Sequence, residues 1–288
     1  MKVAGFTFIR NAIKYDYPIQ ESIRSLLPLC DIVVVALGQS DDQTEELIRS
    51  INNSKIQIHH TIWDDELREG GQVLAVETNK AFDHIKGKFD WCIYLQGDEL
   101  IHENDHLTIL KAMQTYKDQS QVEGLLFNYF HFWGNYQYVA TSRKWYRKEI
   151  RIVRHDQQIR SYQDAQGFRK LDRKLRVKQI DAHIYHYGWV RPPATQIQKR
   201  KNSNRYWHSD QWIEKNLDVD GEYDYSTIDQ VEKFAGTHPS NMMERIHRLN
   251  WSFTPQKRKL SIKNRFSNWF EKWTGKRIGE YKNYTLIP

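Results

Sequence analysis

Two adjacent carboxylates directly follow a short apolar segment in the first half of the chain. Residues 91–95 (Trp-Cys-Ile-Tyr-Leu) carry no charge and are too few for a helix, which predicts a strand covered on both faces. Asp98 and Glu99 come next, after Gln96 and Gly97. Ligands collect beyond the carboxyl ends of such strands in open α/β sheets, and hard divalent cations prefer carboxylate oxygens. The segment therefore predicts a cation site able to carry a pyrophosphate, with a Gly-Asp turn and a solvated Glu99 as the alternative interpretation.

The net charge of the chain is concentrated near its end. The 288 residues suffice for a full hydrophobic core and carry a net charge of +7. Eight basic residues and one acid between Gln256 and Arg277 account for all of that excess. A protein that binds nucleic acid spreads its basic residues over a folded face, so we expect no nucleic-acid partner. The aromatic content of 13% instead offers flat faces for stacking on sugars or bases.

The two cysteines and the first residues bear on the cellular compartment. Cys30 and Cys92 both lie in apolar segments, which is typical of buried thiols in a reducing environment. Residues 1–10 lead directly into a strand pattern without the apolar region of a signal peptide. The sequence has no apolar segment near the ~20 residues that span a bilayer. We therefore expect a cytoplasmic protein.

Strand and helix patterns alternate over the first hundred residues and then give way to a mixed arrangement. Strands are predicted at 3–9, 31–37, 56–63 and 91–95, and helices at 17–27, from Ser40 onward and at 72–85. Further on, the patterns predict a helix at 106–116, strands at 124–132, 149–154 and 178–187, and polar helical structure at 194–230. The predicted fold class is therefore α/β, with a mostly parallel central sheet flanked by helices and a mixed second half.

The last part of the chain has a helical signature of its own. One helix face would carry the apolar residues Ile262, Phe266, Trp269, Phe270 and Trp273, while most of the lysines and arginines lie elsewhere. Two interpretations stay open: the apolar stripe packs on the domain, or the helix lies on an anionic membrane surface. We therefore divide the chain into residues 1–105, residues 106–240 of the same domain, and a basic amphipathic helical extension at 241–288.

Four short motifs occur in an order that resembles one enzyme family. Residues 8–12 (Phe-Ile-Arg-Asn-Ala) end the first strand, and residues 38–44 (Gly-Gln-Ser-Asp-Asp-Gln-Thr) follow the second. Residues 79–81 (Asn-Lys-Ala) lie on the helix before the fourth strand, and residues 95–99 end that strand. This order resembles the inverting family 2 glycosyltransferases, which have the nucleotide-diphosphosugar transferase-like fold called GT-A. Their Ser-x-Asp-x-Thr turn falls within residues 38–44, and their Asp-x-Asp metal motif falls within residues 95–99.

The resemblance implies a function for the chain. It implies a metal-dependent enzyme that moves a sugar from a nucleotide-diphosphosugar to a glycan, a lipid-linked glycan or another hydroxyl acceptor, in bacterial cell-surface polysaccharide synthesis. Residues 1–105 would bind the nucleotide-sugar, and residues 106–240 would bind the acceptor. The basic extension would allow peripheral contact with the inner face of the membrane.

The chemistry of such a transfer assigns roles to the motif residues. The departing pyrophosphate must be neutralised, and Mn²⁺ or Mg²⁺ held by a carboxylate does this. Asp98 is our first choice for the metal ligand, with Glu99 beside it. We expect the donor to contact the other motif residues, namely Arg10, Asn11, Asp41, Asp42, Asn79, Lys80, Gln96 and Gly97. Gln96 stands where relatives have the first acid of the metal motif, and it can hydrogen-bond ribose or phosphate but adds no charge.

Two further positions concern the base and the metal. The acid that relatives place at the end of the second strand, for the nucleobase, has no counterpart at residues 36–37, so the identity of the base stays open. Family members commonly complete the metal site with a histidine from a later strand. If residues 182–189 form a strand, alternation places His183 and His186 on opposite faces, so only one of them is a ligand. We favour His186, which lies close to Gly188, with a structural, hydrogen-bonded histidine as the alternative.

An inverting transfer also needs a general base that deprotonates the acceptor hydroxyl. The base should come from the second half of the chain, and we select Asp164, followed by Glu149. An ordinary solvated acid is the alternative for each. A group of aromatic residues forms either a platform for the acceptor sugar or part of the core: Phe127, Tyr129, Phe132, Trp133 and Tyr136.

Two other functions compete with the transferase. A nucleotidyltransferase shares the βαβ nucleotide half, but it usually needs a glycine-rich phosphate loop near the first strand, and the sequence has no glycine between Ile9 and Gly38. A non-catalytic carbohydrate-binding protein on a transferase scaffold would explain Gln96 and the missing acid for the nucleobase.

Overall fold

The computed structural model describes residues 1–217, 221–228, 230–256, 267, 270–271, 273–274, 277 and 279–288. Its strands are β1 (Val3–Ile9), β2 (Ile32–Gly38), β3 (Ile56–Thr61), β4 (Trp91–Tyr94), β5 (Glu99–Ile101), β6 (Gly124–Trp133), β7 (Tyr138–Ala140), β8 (Lys148–Arg154), β9 (Ile159–Tyr162), β10 (Gly167–Lys170), β11 (Arg173–Lys174), β12 (Arg176–Trp189), β13 (Val231–Lys233) and β14 (Thr285–Leu286). Its helices are α1 (Ile19–Leu26), α2 (Thr44–Arg49), α3 (Gln72–Asp83), α4 (His106–Tyr116), α5 (Pro193–Asn204), α6 (Asp210–Asn216) and α7 (Met243–His247).

An eleven-stranded sheet forms the centre of the described chain. Its main strand order is β13-β7-β6-β8-β4-β1-β2-β3, and β12 lies beside β6. Strands β4, β1, β2 and β3 are parallel to one another, whereas β8 runs antiparallel between β4 and β6. Strand β12 is parallel to β6 and antiparallel to β5. The predicted fold class is confirmed: the sheet is parallel in the first half of the chain and mixed in the second, with helices flanking it.

Helices cover both faces of the parallel part of the sheet. Along β2, Val33 and Val35 belong to the apolar cluster that includes α1, while Val34 and Ala36 belong to the cluster that includes α3. All four side chains are fully buried. Burial on both faces explains why the strand is a continuous apolar run without alternation.

Two helices of the first half, α1 and α2, begin somewhat later than their patterns predict, whereas α3 begins at Gln72 as predicted. Helix α1 begins at Ile19, directly after Pro18, and not at residue 17. The helix predicted from Ser40 onward begins at Thr44, because Asp42 accepts a hydrogen bond from the Thr44 backbone N–H at 3.0 Å and closes a turn there. The predicted limits of β1 and α4 are confirmed.

The segment predicted as helical at 194–230 contains two separate α-helices in its described part. Helix α5 ends at Asn204, and α6 follows Ser209, whose hydroxyl accepts a hydrogen bond from the Trp212 N–H. A serine in this position starts a new helix because it satisfies a free N–H of the first turn. Residues 221–228 contain only a short 3₁₀ turn at Tyr225–Thr227.

The end of the chain adds a strand to the sheet. In β14, Thr285 lies opposite Arg176 and Leu286 lies opposite Val177 at the start of β12. Two residues are too few to show a strand pattern in the sequence, so no strand is predicted there. Of the predicted apolar stripe, Ile262, Phe266 and Trp269 lie outside the described residues, as do seven of the eight basic residues that carry the net charge. Within the described ranges, none of the helices has the length and hydropathy needed to cross a bilayer.

Candidate active site

A cleft opens where β1 and β4 end and α5 begins. It has a volume of about 460 Å³ and is lined by residues from the ends of β1, β4 and β12, from the loop after β3 and from α5. Gly97 allows the backbone after β4 to approach β1, because a Cβ there would lie 2.8 Å from Cδ1 of Ile9. A larger cavity of about 870 Å³ lies against β6, β7 and β8 and is lined by none of the predicted donor or metal ligands among the described residues.

Asp98 is a buried carboxylate that lines this cleft. Its side chain is 8% exposed, and the Lys199 ammonium donates to Oδ2 at 3.0 Å. His186 Nε2 lies 3.7 Å from Oδ1 of the same carboxylate. Burial by itself would raise the pKa of Asp98, but the nearby positive charges, with Lys199 the strongest, outweigh burial and hold the pKa below its ordinary value. The carboxylate is therefore ionised at neutral pH.

Glu99, the neighbouring carboxylate, does not line the cleft. It is fully buried, and its two oxygens accept hydrogen bonds from the Arg151 guanidinium, both at 2.8 Å. Tyr129 donates to it at 2.9 Å, and the Gln96 backbone N–H donates at 3.1 Å. Contrary to the sequence-based expectation, the structure does not bring Glu99 together with Asp98 as a metal ligand, because its oxygens are already engaged. Across the described residues, no three Asp, Glu, His or Cys side chains group as a metal site.

His186 is the histidine that lies beside Asp98. His183 instead stacks on Phe130, with ring centroids 4.6 Å apart, and lines the larger cavity. Gly188 lets the backbone pack closely against both side chains, since a Cβ there would lie 2.4 Å from His186 Nε2 and 3.1 Å from Asp98 Oδ2. Asp98 and His186 both line the cleft. A carboxylate and an imidazole are donors that Mn²⁺ or Mg²⁺ accepts, so these residues fit a divalent cation that takes its other ligands from water and phosphate.

His186 is held from behind by His131. Strands β6 and β12 place the two residues opposite each other, and their Nδ1 atoms lie 2.9 Å apart. The other ring nitrogen of His131, Nε2, lies 2.8 Å from the backbone carbonyl oxygen of Tyr146. Burial lowers the pKa of both imidazoles.

The sequence patterns did not identify two cations whose charges act on Asp98: Lys199, which lines the cleft, and Arg191, which is buried behind it. Lys199 on α5 donates to Asp98 and to the Gly188 carbonyl, both at 3.0 Å. Arg191 is fully buried and donates from Nη1 to the Gly188 carbonyl at 3.0 Å and to Gln196 at 3.2 Å. Its Nε and Nη2 have no hydrogen-bond partner within the described chain. Burial, followed by the charge of Arg191, lowers the pKa of Lys199 to about 8. One carboxylate thus meets two cations, which leaves positive charge available to an anionic ligand.

The predicted donor-binding residues separate into two groups. Arg10, Gln96 and Gly97 line the cleft. The others hold loops or helices in place: Asn11, Asp41, Asp42, Asn79 and Lys80. Asn11, for example, accepts a hydrogen bond from the Asp41 backbone at 2.8 Å, and Asn79 accepts one from the Ser161 backbone at 2.8 Å. The second group therefore shapes the cleft from outside it.

Arg10 lies in the cleft wall with its charge already paired. Its guanidinium makes a bidentate contact with Asp65, at 2.6 and 3.2 Å, and its Nε donates to the Gln39 carbonyl at 3.1 Å. The hydrogen bond to Asp65 raises the pKa of Arg10. The guanidinium also lies 5.7 Å from the ring centre of Trp63. Arg10 therefore supports the wall near Trp63, and it is less suited to bind a diphosphate than Lys199.

Aromatic side chains form the other end of the cleft. The Trp63 ring centre lies 5.6 Å from that of Phe8 and 5.7 Å from that of Tyr206. A Cβ on Gly38 would lie 2.3 Å from the Trp63 indole Nε1, so the indole fills the space at the end of β2. The Nε1–H is buried and has no hydrogen-bond partner in the part of the chain that the structure describes. This end offers apolar aromatic walls, which suit the flat face of a base.

Of the two predicted general bases, Asp164 lies nearer the cleft. A Cβ on Gly71 would lie 2.8 Å from both the Asp164 Cβ and the ring of Trp207, which lines the cleft. Burial raises the pKa of Asp164. Glu149 does not line the cleft, accepts a hydrogen bond from the Ile150 backbone at 2.9 Å, and has its pKa raised to about 7 by burial. The aromatic residues considered as an acceptor platform are buried in the core: Phe127, Tyr129, Phe132, Trp133 and Tyr136.

Comparisons with known proteins bear on the backbone arrangement. No protein-family profile matches the chain, and no curated protein matches it. Residues 1–349 of S. aureus TarS in complex with UDP match with 16% identity, over 70% of this chain and 64% of that chain, at a TM-score of 0.39. The glucosyl-3-phosphoglycerate synthase of Mycobacterium tuberculosis, in complex with Mn²⁺, UDP and phosphoglyceric acid, matches with 17% identity, over 45% and 43% of the two chains, at 0.30.

A nucleotidyltransferase-type enzyme matches as well. It is the 4-diphosphocytidyl-2C-methyl-D-erythritol synthase of Anaerococcus prevotii, with 10% identity over 71% of this chain and 95% of that chain, at a TM-score of 0.42. The chain spans 64% of the shorter TarS chain and 39% of the longer one. At these identities and TM-scores no activity follows from the matches, and the α/β architecture rests on the strand order of this chain itself.

Proposed function

We propose that this protein is a glycosyltransferase that moves a sugar from a nucleotide-diphosphosugar to a hydroxyl group, with a divalent cation held by Asp98 and His186. The observation that carries the proposal is a carboxylate and an imidazole 3.7 Å apart that both line the cleft. They lie in one cleft with a lysine and an aromatic end. The order of these features matches a nucleotide-sugar, which has a flat base, then an anionic diphosphate, then the sugar.

Charge on the leaving group is the main chemical demand of this reaction. A divalent cation bound at Asp98 and His186 would supply Lewis-acid stabilisation of the departing diphosphate. Lys199 reaches the cleft and offers an ammonium 3.0 Å from Asp98, and Arg191 adds positive potential beneath it. Because both cations are fixed before the substrate arrives, they stabilise the leaving group with little reorganisation.

The aromatic end of the cleft would bind the nucleoside. Phe8, Trp63 and Tyr206 supply apolar walls. The sequence offers no acid at residues 36–37 for the nucleobase, and in the structure the indole fills the end of β2 instead. The nucleoside would thus be recognised mainly by stacking.

The transfer would be a single displacement at the anomeric carbon. The acceptor oxygen forms a bond to that carbon while the bond from the carbon to the diphosphate oxygen breaks, and the configuration inverts. Asp164 takes the proton of the attacking hydroxyl, and its raised pKa suits a general base. The products are a glycoside and a nucleoside diphosphate.

The acceptor and the cellular setting are extensions of this proposal. A glycan or lipid-linked glycan acceptor, a role in bacterial cell-surface polysaccharide synthesis, and contact of the basic extension with an anionic membrane all derive from the sequence resemblance and charge. Binding of the chain, with and without residues 257–277, to vesicles with anionic or neutral headgroups tests the membrane contact.

A thermal-shift screen of UDP-, GDP-, dTDP- and CMP-sugars, each with and without Mn²⁺, tests the central proposal. A ligand that binds only the folded state raises the melting temperature, so we expect a shift for at least one donor that is larger with Mn²⁺. Asp98→Asn should abolish the shift, whereas Asp41→Asn, which changes an exposed carboxylate outside the cleft, should keep it. Absence of a shift with every donor contradicts the proposal.

A non-catalytic carbohydrate-binding protein is the second candidate. The Lys199 ammonium already pairs with the Asp98 carboxylate in the absence of a metal ion, and a protein with no metal chemistry would need such a pair. In that case glycans would raise the melting temperature and nucleotide-sugars would not. A nucleotidyltransferase would be distinguished by release of pyrophosphate from a nucleoside triphosphate in the presence of a sugar phosphate.

A further inference from the structure

Three polar groups form a buried hydrogen-bonded row behind the cleft. The Tyr146 carbonyl oxygen lies 2.8 Å from His131 Nε2, and His131 Nδ1 lies 2.9 Å from His186 Nδ1. The row ends at His186 Nε2, which faces Asp98 Oδ1 across 3.7 Å. His131 is 3% exposed. Each contact in this row restricts where protons can lie.

The proton positions follow from the carbonyl end of the row. A carbonyl oxygen only accepts, so His131 Nε2 must carry the hydrogen of that contact. In a neutral imidazole the other nitrogen then has a lone pair, and His131 Nδ1 is an acceptor. His186 must therefore donate from Nδ1, which leaves the lone pair of its Nε2 directed at the cleft.

Geometry at the cleft end agrees with this assignment. If His186 Nε2 carried a hydrogen, the adjacent Asp98 carboxylate would be expected to accept it at hydrogen-bond distance. The observed separation is 3.7 Å, longer than such a bond. Two electron-pair donors thus face each other, an arrangement that favours a cation between them. No carboxylate of the described residues hydrogen-bonds His131 itself, so a neutral His131 is consistent with its surroundings.

Neighbouring rings hold His131 in one orientation. The ring of Tyr129 stacks on it with centroids 5.2 Å apart, and the Tyr146 ring meets it edge-on at 4.6 Å. The Trp145 ring lies 4.9 Å away. A rotated ring would lose both the carbonyl contact and the contact with His186. The packing therefore fixes the direction of the whole row.

We propose that His131 is a positioning residue that holds His186 in the tautomer with a hydrogen on Nδ1 and a free lone pair on Nε2. This is the form in which an imidazole binds a cation, and outer partners of this kind commonly select it. The consequence for cation binding rests on the proposed function, whereas the tautomer itself does not. A free imidazole side chain ordinarily favours the tautomer with its hydrogen on Nε2. The Nδ1–H form proposed for His186 therefore differs from the form expected without His131.

The first test reads the tautomer directly in the metal-free protein. Long-range ¹H–¹⁵N correlation spectra of histidine-labelled protein distinguish the two neutral forms, and His186→Asn identifies the His186 signals. We expect wild-type His186 to show the Nδ1–H form and His131→Leu to shift it toward the Nε2–H form. His131→Gln, whose amide can accept from His186 and donate to Tyr146, should keep the wild-type form. A wild-type Nε2–H form, or no change in His131→Leu, overturns the proposal.

The second test measures Mn²⁺ affinity from the electron paramagnetic resonance signal of the free ion. His131→Leu should weaken binding by about 10–100-fold, as loss of an outer partner does at other sites. His131→Gln should stay near wild type, as should His183→Gln, a change of another histidine on β12 whose side chain stacks on Phe130 away from Asp98. Circular dichroism and melting temperature identify variants that fail to fold. If His131→Leu does not fold, the comparison of wild type with His131→Gln decides the outcome.

A negative result in each of the two tests contradicts a different proposal. The expected tautomer together with no Mn²⁺ binding by wild-type protein would contradict the cation in the proposed function and leave the role of His131 intact. Mn²⁺ binding that is unaffected in a folded His131→Leu variant would overturn the consequence drawn for His131 while leaving the transferase proposal in place.

Discussion

Asp98 and Glu99 are neighbours in the sequence, but their surroundings differ in how completely the charged groups are hydrogen-bonded. Around Glu99, one carboxylate meets one guanidinium in a bidentate contact, and both side chains are fully buried. Around Asp98, one carboxylate meets Lys199 and lies near Arg191, which has two donor nitrogens with no partner in the described chain. A buried pair with completed hydrogen bonds stabilises the fold, whereas Asp98 and Lys199 both line a cleft in which a ligand can meet them.

Breaking the Glu99 region should have the largest effect, and the effect should be on stability. Arg151→Ala leaves the Glu99 carboxylate buried and unpaired, so we expect a loss of about 3–5 kcal/mol in the free energy of unfolding. Urea denaturation measures it. Arg49→Ala, which removes an exposed pair with Glu45, should cost less than about 1 kcal/mol. Equal losses in the two variants would contradict the structural role given to Glu99.

Breaking the Asp98 region should instead affect activity. Asp98→Asn keeps the shape of the side chain and removes the charge that fits a cation, so we expect sugar transfer to fall by about 100-fold or more. Its loss of stability should be clearly smaller than that of Arg151→Ala. Initial rates with the donor found in the thermal-shift screen provide the measurement, and near-normal transfer by Asp98→Asn would show that the cleft does not work as proposed.

Glu149 is a third buried carboxylate, and the pH dependence of the free energy of unfolding tests its raised pKa. Burial raises its pKa from an ordinary 4.5 to about 7, so the folded protein binds the proton more tightly than the unfolded chain between these values. Stability should therefore fall as pH rises from about 4.5 through 7, by about 3 kcal/mol in total, and level off above. Glu149→Gln should remove this dependence and be more stable than wild type at pH 8. An unchanged pH profile in the variant would contradict the assignment.

The smallest of these effects should come from Lys199. Lys199→Met removes an ammonium from the anion-binding end of the cleft, so we expect the dissociation constant of the nucleotide-sugar to rise about 10-fold, as for loss of one charged hydrogen bond. Isothermal titration calorimetry provides the value. Lys201→Met, an exposed lysine on the same helix, should leave affinity unchanged. Equal affinity in both variants would remove Lys199 from the site.

The sequence predicted the strands and helices better than it predicted the side-chain contacts between them. Strands β1, β2 and β4 are continuous apolar runs, and their burial on both faces is a property that the chain displays locally. Strand alternation also separates His183 from His186 without any coordinates. These features depend on neighbouring residues, which a single sequence shows directly.

The contacts that define the site depend on residues far apart in the chain. Lys199 meets Asp98 only because β12 returns beside β5 and α5 turns back over the cleft, 101 residues later in the chain. Arg151 pairs with Glu99, 52 residues away in the chain, and not with Asp98. A pair of adjacent acids carries no local signal for this choice, since both fit the same motif. The same holds for Trp63, whose indole fills the end of β2.

Gly188 gives experimental access to a form of the protein in which one side chain of the site is displaced by the backbone beside it. A methyl group at this position would lie 2.4 Å from His186 Nε2, so the imidazole would have to move. Gly188→Ala should therefore disturb the geometry of His186 and Asp98 while it leaves the chemical identity of Asp98, His186 and Lys199 unchanged. A protein altered in this way would keep its acceptor surface without turning over donor. It is a suitable form in which to trap an acceptor for structure determination.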